Sequence, residues 1–289
     1  MAEAIVQKLN IPELLRMKAA GEALSMATAH DYVTTRLIDA AGIDMVLVSD
    51  WSIATTLLGY STALQVKWHE VMFYLQAVCR LVQHAVVIGA MPFGSYQGAV
   101  EATVQHAGLM MKAGVDAVKL EGGGPTIERV RALYAAGIPC VGHLGATPQS
   151  VKMRGGLRPY GQTCDEAAQL LSDVQALEAA GAWAVILEGV PNRVAARIGE
   201  RTRLILIGAG GTAPCDGQML TTHDILGLPE PVAPLSSRHY ADFTARMLTA
   251  LNAWCAEVRD LQFPTDKQTF GIKDGEFAQF LKHASQEGT

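Results

Sequence analysis

Residues 114–145, GVDAVKLEGGGPTIERVRALYAAGIPCVGHLG, contain one complete strand–helix–strand unit. Ala117–Leu120 is a short apolar run followed by glycines, Ile127–Ala136 repeats its apolar residues at helical spacing, and Gly137 ends that periodicity before a second apolar run at Cys140–Gly142. Strands joined through a helix by short connections pair in parallel by a right-handed crossover. Outward from this unit the pattern repeats. Further buried-strand runs lie at Leu24–Ala29, Met45–Ser49, Ala85–Gly89, Ala184–Leu187 and Leu204–Ile207, with a weak eighth near Ile225–Leu228. Helical periodicity fills Thr35–Ala41, Glu70–Val82, Gln97–Ala113, Thr163–Ala180 and Arg193–Glu200 between them.

Seven clear units and a weak eighth predict closure into a (β/α)8 TIM-type barrel. A doubly wound open sheet is the competing architecture, and it normally places a GxGxxG turn after its first strand; here that position reads TAHDYVTT, residues 28–35. The expected organisation is a single domain over residues 1–289: a helix at about 10–20, the barrel at about 24–230, and C-terminal helices at about 238–285, beginning with Tyr240–Val258 and Asp274–His283. The proline-rich stretch Gly227–Ser237 reads as an irregular excursion.

Composition excludes several classes of function. A net charge of −5 with scattered Lys and Arg offers no phosphate-neutralising stripe, which argues against a nucleic-acid partner. Cys79, Cys140, Cys164, Cys215 and Cys255 are odd in number, widely spaced and without a CxxC pair, so a disulfide framework or thiolate zinc site is not expected and a reducing cytoplasmic setting is. No targeting segment or run of about 18 apolar residues is seen, so no membrane partner is expected. HExxH and GxSxG are absent, removing metalloprotease and serine-hydrolase readings.

Barrel strands point their carboxyl ends at one rim, so reactive groups there converge. Asp50 closes VLVSD, Glu121 closes VKLE with Lys119 two residues earlier on the same strand face, His143 lies in CVGHLG, and Glu188 closes VILE. Any one of these acids alone reads equally well as a helix cap or loop contact. As a set they suit a hard cation such as Mg²⁺ chelated by a 2-oxo acid, which polarises the ketone, with another carboxylate acting as the base that forms an enolate.

The motifs VSDW, GAMPF, VKLEGG, VGHLGATPQS, LEGVP and IGAGGTAPCDGQML stand in the order and spacing of ketopantoate hydroxymethyltransferases, and the chain resembles that family from about Met26 to Gly227. The resemblance implies a cytoplasmic homo-oligomeric barrel, decameric in the family, of the phosphoenolpyruvate mutase and isocitrate lyase type. It implies Mg²⁺ or another divalent cation, and one-carbon transfer from 5,10-methylenetetrahydrofolate, or from formaldehyde, to C3 of 3-methyl-2-oxobutanoate. It makes Asp50 and Glu121 metal ligands, Lys119 the partner of the substrate carboxylate and Glu188 the catalytic proton acceptor at C3. Asp50, Trp51, Ala90 and His143 are implied to surround the substrate.

The chain also departs from the family pattern. Ala90 stands in GAMPF where the family has an aspartate that binds metal and substrate, and Trp51 follows Asp50 where the family has serine. Three readings follow: a metal bound more weakly on Asp50 and Glu121; a rim refitted to another 2-oxo acid or electrophile with the same enolate chemistry, which is the favoured version; or a catalytically inactive binding protein. Hydroxymethyl transfer is the expected reaction, and a 2-oxo acid aldolase or lyase is its alternative. Trp51 is read as pocket wall in preference to core. The glycine run after the seventh strand, residues 208–211, is read as a tight turn in preference to a phosphate cradle, and His30-Asp31, His69-Glu70 and His223-Asp224 are read as structural pairs.

Overall fold

A computed structural model describes residues 8–228 and 238–285. Among these residues eight parallel strands close a barrel in sequence order: β1 (Leu24–Thr28), β2 (Met45–Val48), β3 (Val86–Ala90), β4 (Ala117–Glu121), β5 (Cys140–Gly145), β6 (Ala184–Glu188), β7 (Ile205–Ala209) and β8 (Gly217–Leu220). β8 pairs with β1 through Leu24–Gly217 and Met26–Met219, which completes the ring. The helices are α1 (Ile11–Ala19), α2 (Tyr32–Ala40), the single turn α3 (Asp50–Ser52), α4 (Trp68–Cys79), α5 (Val100–Ala113), α6 (Thr126–Ala135), the short α7 (Val151–Arg154), α8 (Cys164–Ala180), α9 (Asn192–Gly199) and the short α10 (Thr222–Leu226). Two further helices, α11 (Phe243–Arg259) and α12 (Asp274–Ala284), belong to a second compact unit that begins at Asp242.

Alternation along each strand builds two apolar layers. Met45, Leu47, Val86, Ile88, Ile186 and Ile207 fill the barrel, whereas Val46, Val48, Val87, Val118, Val185 and Leu206 face outward into a separate cluster with Leu75, Met110, Leu133 and Leu177 of the helices. Each fully buried Leu, Ile or Val contributes roughly 1.5–3 kcal/mol relative to exposure. Both layers are apolar because helices cover the outer face of a parallel sheet. Local signals set the helix starts: Asp31 caps α2, accepting from the Thr34 N–H at 2.9 Å, and Asn10 and Glu13 form a capping box on α1.

The eighth strand is not where the sequence put it. Ile225 and Leu226 lie in α10, started by the Thr221 cap, and the closing strand is Gly217-Gln218-Met219-Leu220. That strand has no β-branched residue and only its first residue is buried, so nothing local marks it; pairing with β1 and β7 makes it a strand. The proline-rich 227–237 segment lies outside the described residues beyond Leu228. No helix among the described residues is long and apolar enough to cross a membrane.

Candidate active site

Side-chain parity carries the reactive groups inward. Ala117 belongs to the interior cluster, so Lys119 and Glu121, two and four residues on, face the same space. The same rule brings His143 in behind Val141, and Glu188 behind Ala184 and Ile186. Register aligns the groups between strands: Ala90 opposes Lys119, Glu121 opposes His143, and Gly145 opposes Glu188. Gly145 permits the last of these approaches, since its φ is +95° and a Cβ there would lie 2.1 Å from the Glu188 carbonyl oxygen.

These side chains line a cavity of about 80 Å³ at the carboxyl rim, walled by Trp51, Lys119, Glu121, His143 and Glu188, with Met219 and Leu220 of β8 on the far side. At its base Lys119 Nζ donates to Glu121 Oε1 at 2.8 Å and stands 3.6 Å from Asp50 Oδ1. His143 bridges toward the rim, with Nδ1 3.5 Å from Glu121 Oε1 and Nε2 3.0 Å from Glu188 Oε2. Asp50 and Ala90 are buried and do not border the cavity; Asp50 lies behind Lys119, and Ala90 is part of the barrel filling.

Electrostatics at the base follow from burial and contact. Burial opposes ionisation of Glu121, but the Lys119 ammonium outweighs it and, with His143, holds the carboxyl down at about 2. Burial likewise opposes the charged form of Lys119, and Glu121 and Asp50 overcome it, so its pKa is raised. At Asp50 burial dominates and the pKa is raised despite Lys119. Burial and Lys119 disfavour the His143 imidazolium, yet the two flanking carboxylates bring its pKa above the ordinary value. A base, a proton-accepting imidazole and a fixed ammonium around one enclosed space are the parts needed to remove a proton next to a carbonyl and hold the resulting charge.

Sequence reading gave no role to Gln149 and did not single out Tyr96. Gln149 Nε2 donates to Asp50 Oδ2 at 2.8 Å and to the Met91 carbonyl at 2.9 Å, its backbone N–H donates to Glu121 Oε2 at 2.9 Å, and Tyr96 Oη donates to Gln149 Oε1 at 2.6 Å. Gln149 lies within the quoted GHLGATPQS motif, which is the signal that could have found it; Tyr96 belongs to no such motif. Among the other expectations, Trp51 lines the cavity, Gly210 and Gly211 turn the chain with φ of +57° and +83°, and His30 stacks on His223 with ring centroids 5.3 Å apart.

The donors present do not fit a resident divalent ion. Among the described residues no group of three or more His, Cys, Asp or Glu side chains is placed to hold one, and the carboxylate oxygens at the base are already engaged by Lys119 and Gln149, apart from Asp50 Oδ1.

A family model described as ketopantoate hydroxymethyltransferase matches residues 8–266. The 3-methyl-2-oxobutanoate hydroxymethyltransferase of Nitratidesulfovibrio vulgaris (strain DP4) is 41% identical over 273 residues, covering 94% of this chain and 89% of that one. Its counterpart from Geotalea uraniireducens (strain Rf4) is 42% identical over 261 residues, covering 90% and 97%. Solved structures share the fold at low identity. Phosphoenolpyruvate phosphomutase from Streptomyces platensis subsp. rosaceus superposes with a TM-score of 0.60 at 13% identity, covering 96% of this chain and 98% of its own. 2,3-Dimethylmalate lyase, a member of the PEP mutase/isocitrate lyase superfamily, gives 0.58 at 14%, again covering 96% and 98%.

Proposed function

This chain belongs to the ketopantoate hydroxymethyltransferase family, and from that premise we propose that it forms a carbon–carbon bond at C3 of a small 2-oxo acid by adding a hydroxymethyl unit to an enolate. The observation that carries the reading is the enclosed cavity in which Glu188 and His143 stand 3.0 Å apart above the Lys119–Glu121 pair.

In the proposed reaction the substrate carboxylate pairs with Lys119, which places C3 toward Glu188. Glu188 takes the C3 proton, the C–H electrons become the C2–C3 double bond, and the keto oxygen takes the displaced pair beside the ammonium. The enolate carbon then attacks a one-carbon electrophile. With formaldehyde, the carbonyl pair moves to its oxygen and the proton on Glu188 completes the hydroxymethyl group. With 5,10-methylenetetrahydrofolate, water adds to the methylene carbon and both of its C–N bonds break, each nitrogen taking one hydrogen of the water; tetrahydrofolate leaves, and the enolate attacks the released formaldehyde as before. A groove of about 700 Å³ shares Glu121 and Gln149 with the base of the site and carries Phe93, Lys152 and Met153 on its walls, a surface suited to a flat ring bearing carboxylates. We assign the carrier to it.

We extend the proposal to a cytoplasmic homo-oligomer. The homo-oligomer is supported by Phe243, Met247, Leu251, Trp254 and Val258 of α11, which form one apolar stripe at helical spacing.

The test is solvent deuterium incorporation at C3 of 3-methyl-2-oxobutanoate, read by mass spectrometry, followed by product analysis with each one-carbon donor. Glu188→Gln is expected to slow exchange by roughly 10²–10⁴-fold. Equal exchange by the unaltered protein and this variant would remove Glu188 from the role of base.

A further inference from the structure

Four carboxylate oxygens stand at the base of the site, and three of them already accept hydrogen bonds. Glu121 Oε1 accepts from Lys119 Nζ at 2.8 Å, Glu121 Oε2 from the Gln149 N–H at 2.9 Å, and Asp50 Oδ2 from Gln149 Nε2 at 2.8 Å. The fourth, Asp50 Oδ1, is buried without a hydrogen-bond partner among the described residues, and it faces Lys119 Nζ at 3.6 Å from a residue that does not border the cavity. The position that opposes Lys119 across the β3–β4 ladder is Ala90, whose methyl group offers no donor.

Mg²⁺ requires near-ideal octahedral oxygen coordination and sheds water reluctantly, so it settles where anionic oxygens are open to it. Here one open oxygen remains, and a dication reaching it would have to approach a fixed ammonium in a low-dielectric interior, where like charges repel most strongly. The ammonium already occupies the position from which a cation would act. Its three N–H bonds point in different directions, and one is committed to Glu121. In a 2-oxo acid the carboxylate and keto oxygens can lie side by side, close enough for the remaining donors to reach both.

We infer that this chain binds its 2-oxo acid without a resident divalent cation, Lys119 being the cation that bridges the carboxylate and keto oxygens of the ligand. This inference rests on the proposed 2-oxo acid reading. The single positive group that holds the substrate then also lies beside the oxygen on which enolate charge develops.

The experiment uses the full chain and two measurements that do not depend on turnover. The affinity for 3-methyl-2-oxobutanoate is measured by titration calorimetry in EDTA and in Mg²⁺, and Mn²⁺ binding is measured by paramagnetic resonance with and without the acid. The expected results are an affinity that does not differ between EDTA and Mg²⁺, no Mn²⁺ held by the protein in either state, and at least about tenfold weaker acid binding by Lys119→Met, whose folding is checked by circular dichroism. One Mn²⁺ held per chain, or an affinity that falls about tenfold or more in EDTA and returns with Mn²⁺, overturns the inference; because these readings use the unaltered protein, they decide even where the variant does not fold. Cation-independent acid binding without exchange at C3 would support the inference and sink the enolisation reading instead.

Discussion

His30 shows how one side chain near the barrel mouth sets a pH dependence that the cavity chemistry does not. Burial, together with the neighbouring His223, lowers its pKa from 6.5 to about 4, and neither ring nitrogen has a hydrogen-bond partner among the described residues. Because the folded pKa lies below the unfolded value, the unfolded chain binds a proton between about pH 6.5 and about 4 that the folded chain refuses. Stability from this residue is complete above pH 6.5 and is lost as pH falls through that window. His30→Phe should therefore flatten the acid side of the stability curve by up to about 3 kcal/mol near pH 4, read from urea unfolding midpoints. Parallel curves for the two proteins would contradict this. Gln149 makes a complementary point at the same scale: its amide and backbone join Asp50, Glu121, Met91 and Tyr96, and only its place in the GHLGATPQS motif, not its residue type, marks that duty in the sequence.

Individual elements fix the relative placement of these residues, and the β5–β6 ladder is the most sensitive of them. Gly145 ends β5 with φ of +95°, and a Cβ there would meet the Glu188 carbonyl oxygen at 2.1 Å. Backbone on backbone cannot yield as a side chain can, so Gly145→Ala combines a conformational penalty with forced separation of two strand ends. A loss of about 1–3 kcal/mol in unfolding free energy is expected, together with slower exchange at C3, because His143 and Glu188 are carried on those strands. A variant with unchanged stability and exchange would show that the close approach is dispensable. Most strands and helices were legible because both the period of apolar residues and the glycine stops were strong, as in Thr163–Ala180 against the observed α8 (Cys164–Ala180). β8 was not, since GQML has no strand-forming residue and depends on its neighbours, while the apolar Ile225-Leu226 is helical behind a threonine cap.

For the whole molecule, closure of the barrel and the apolar stripe of α11 have separate consequences. Met247, Leu251, Trp254 and Val258 share one apolar stripe along α11, the stripe to which the proposed assembly with a second copy of the chain is assigned. Sedimentation should show a species larger than one chain, and Leu251→Glu with Trp254→Glu should shift it toward the monomer; an unaltered distribution would detach that stripe from assembly. The sequence by itself determined that this is a parallel α/β barrel, because periodicity and turn residues act over a few positions, and it identified Lys119, Glu121, His143 and Glu188 as rim groups, because strand ends in such a barrel share one face. Only the tertiary structure decided that Asp50 and Ala90 stand back from the cavity and that Gln149 and Lys119 occupy the carboxylate oxygens. Those outcomes depend on distances between residues far apart in the chain, which close packing sets and no local pattern encodes.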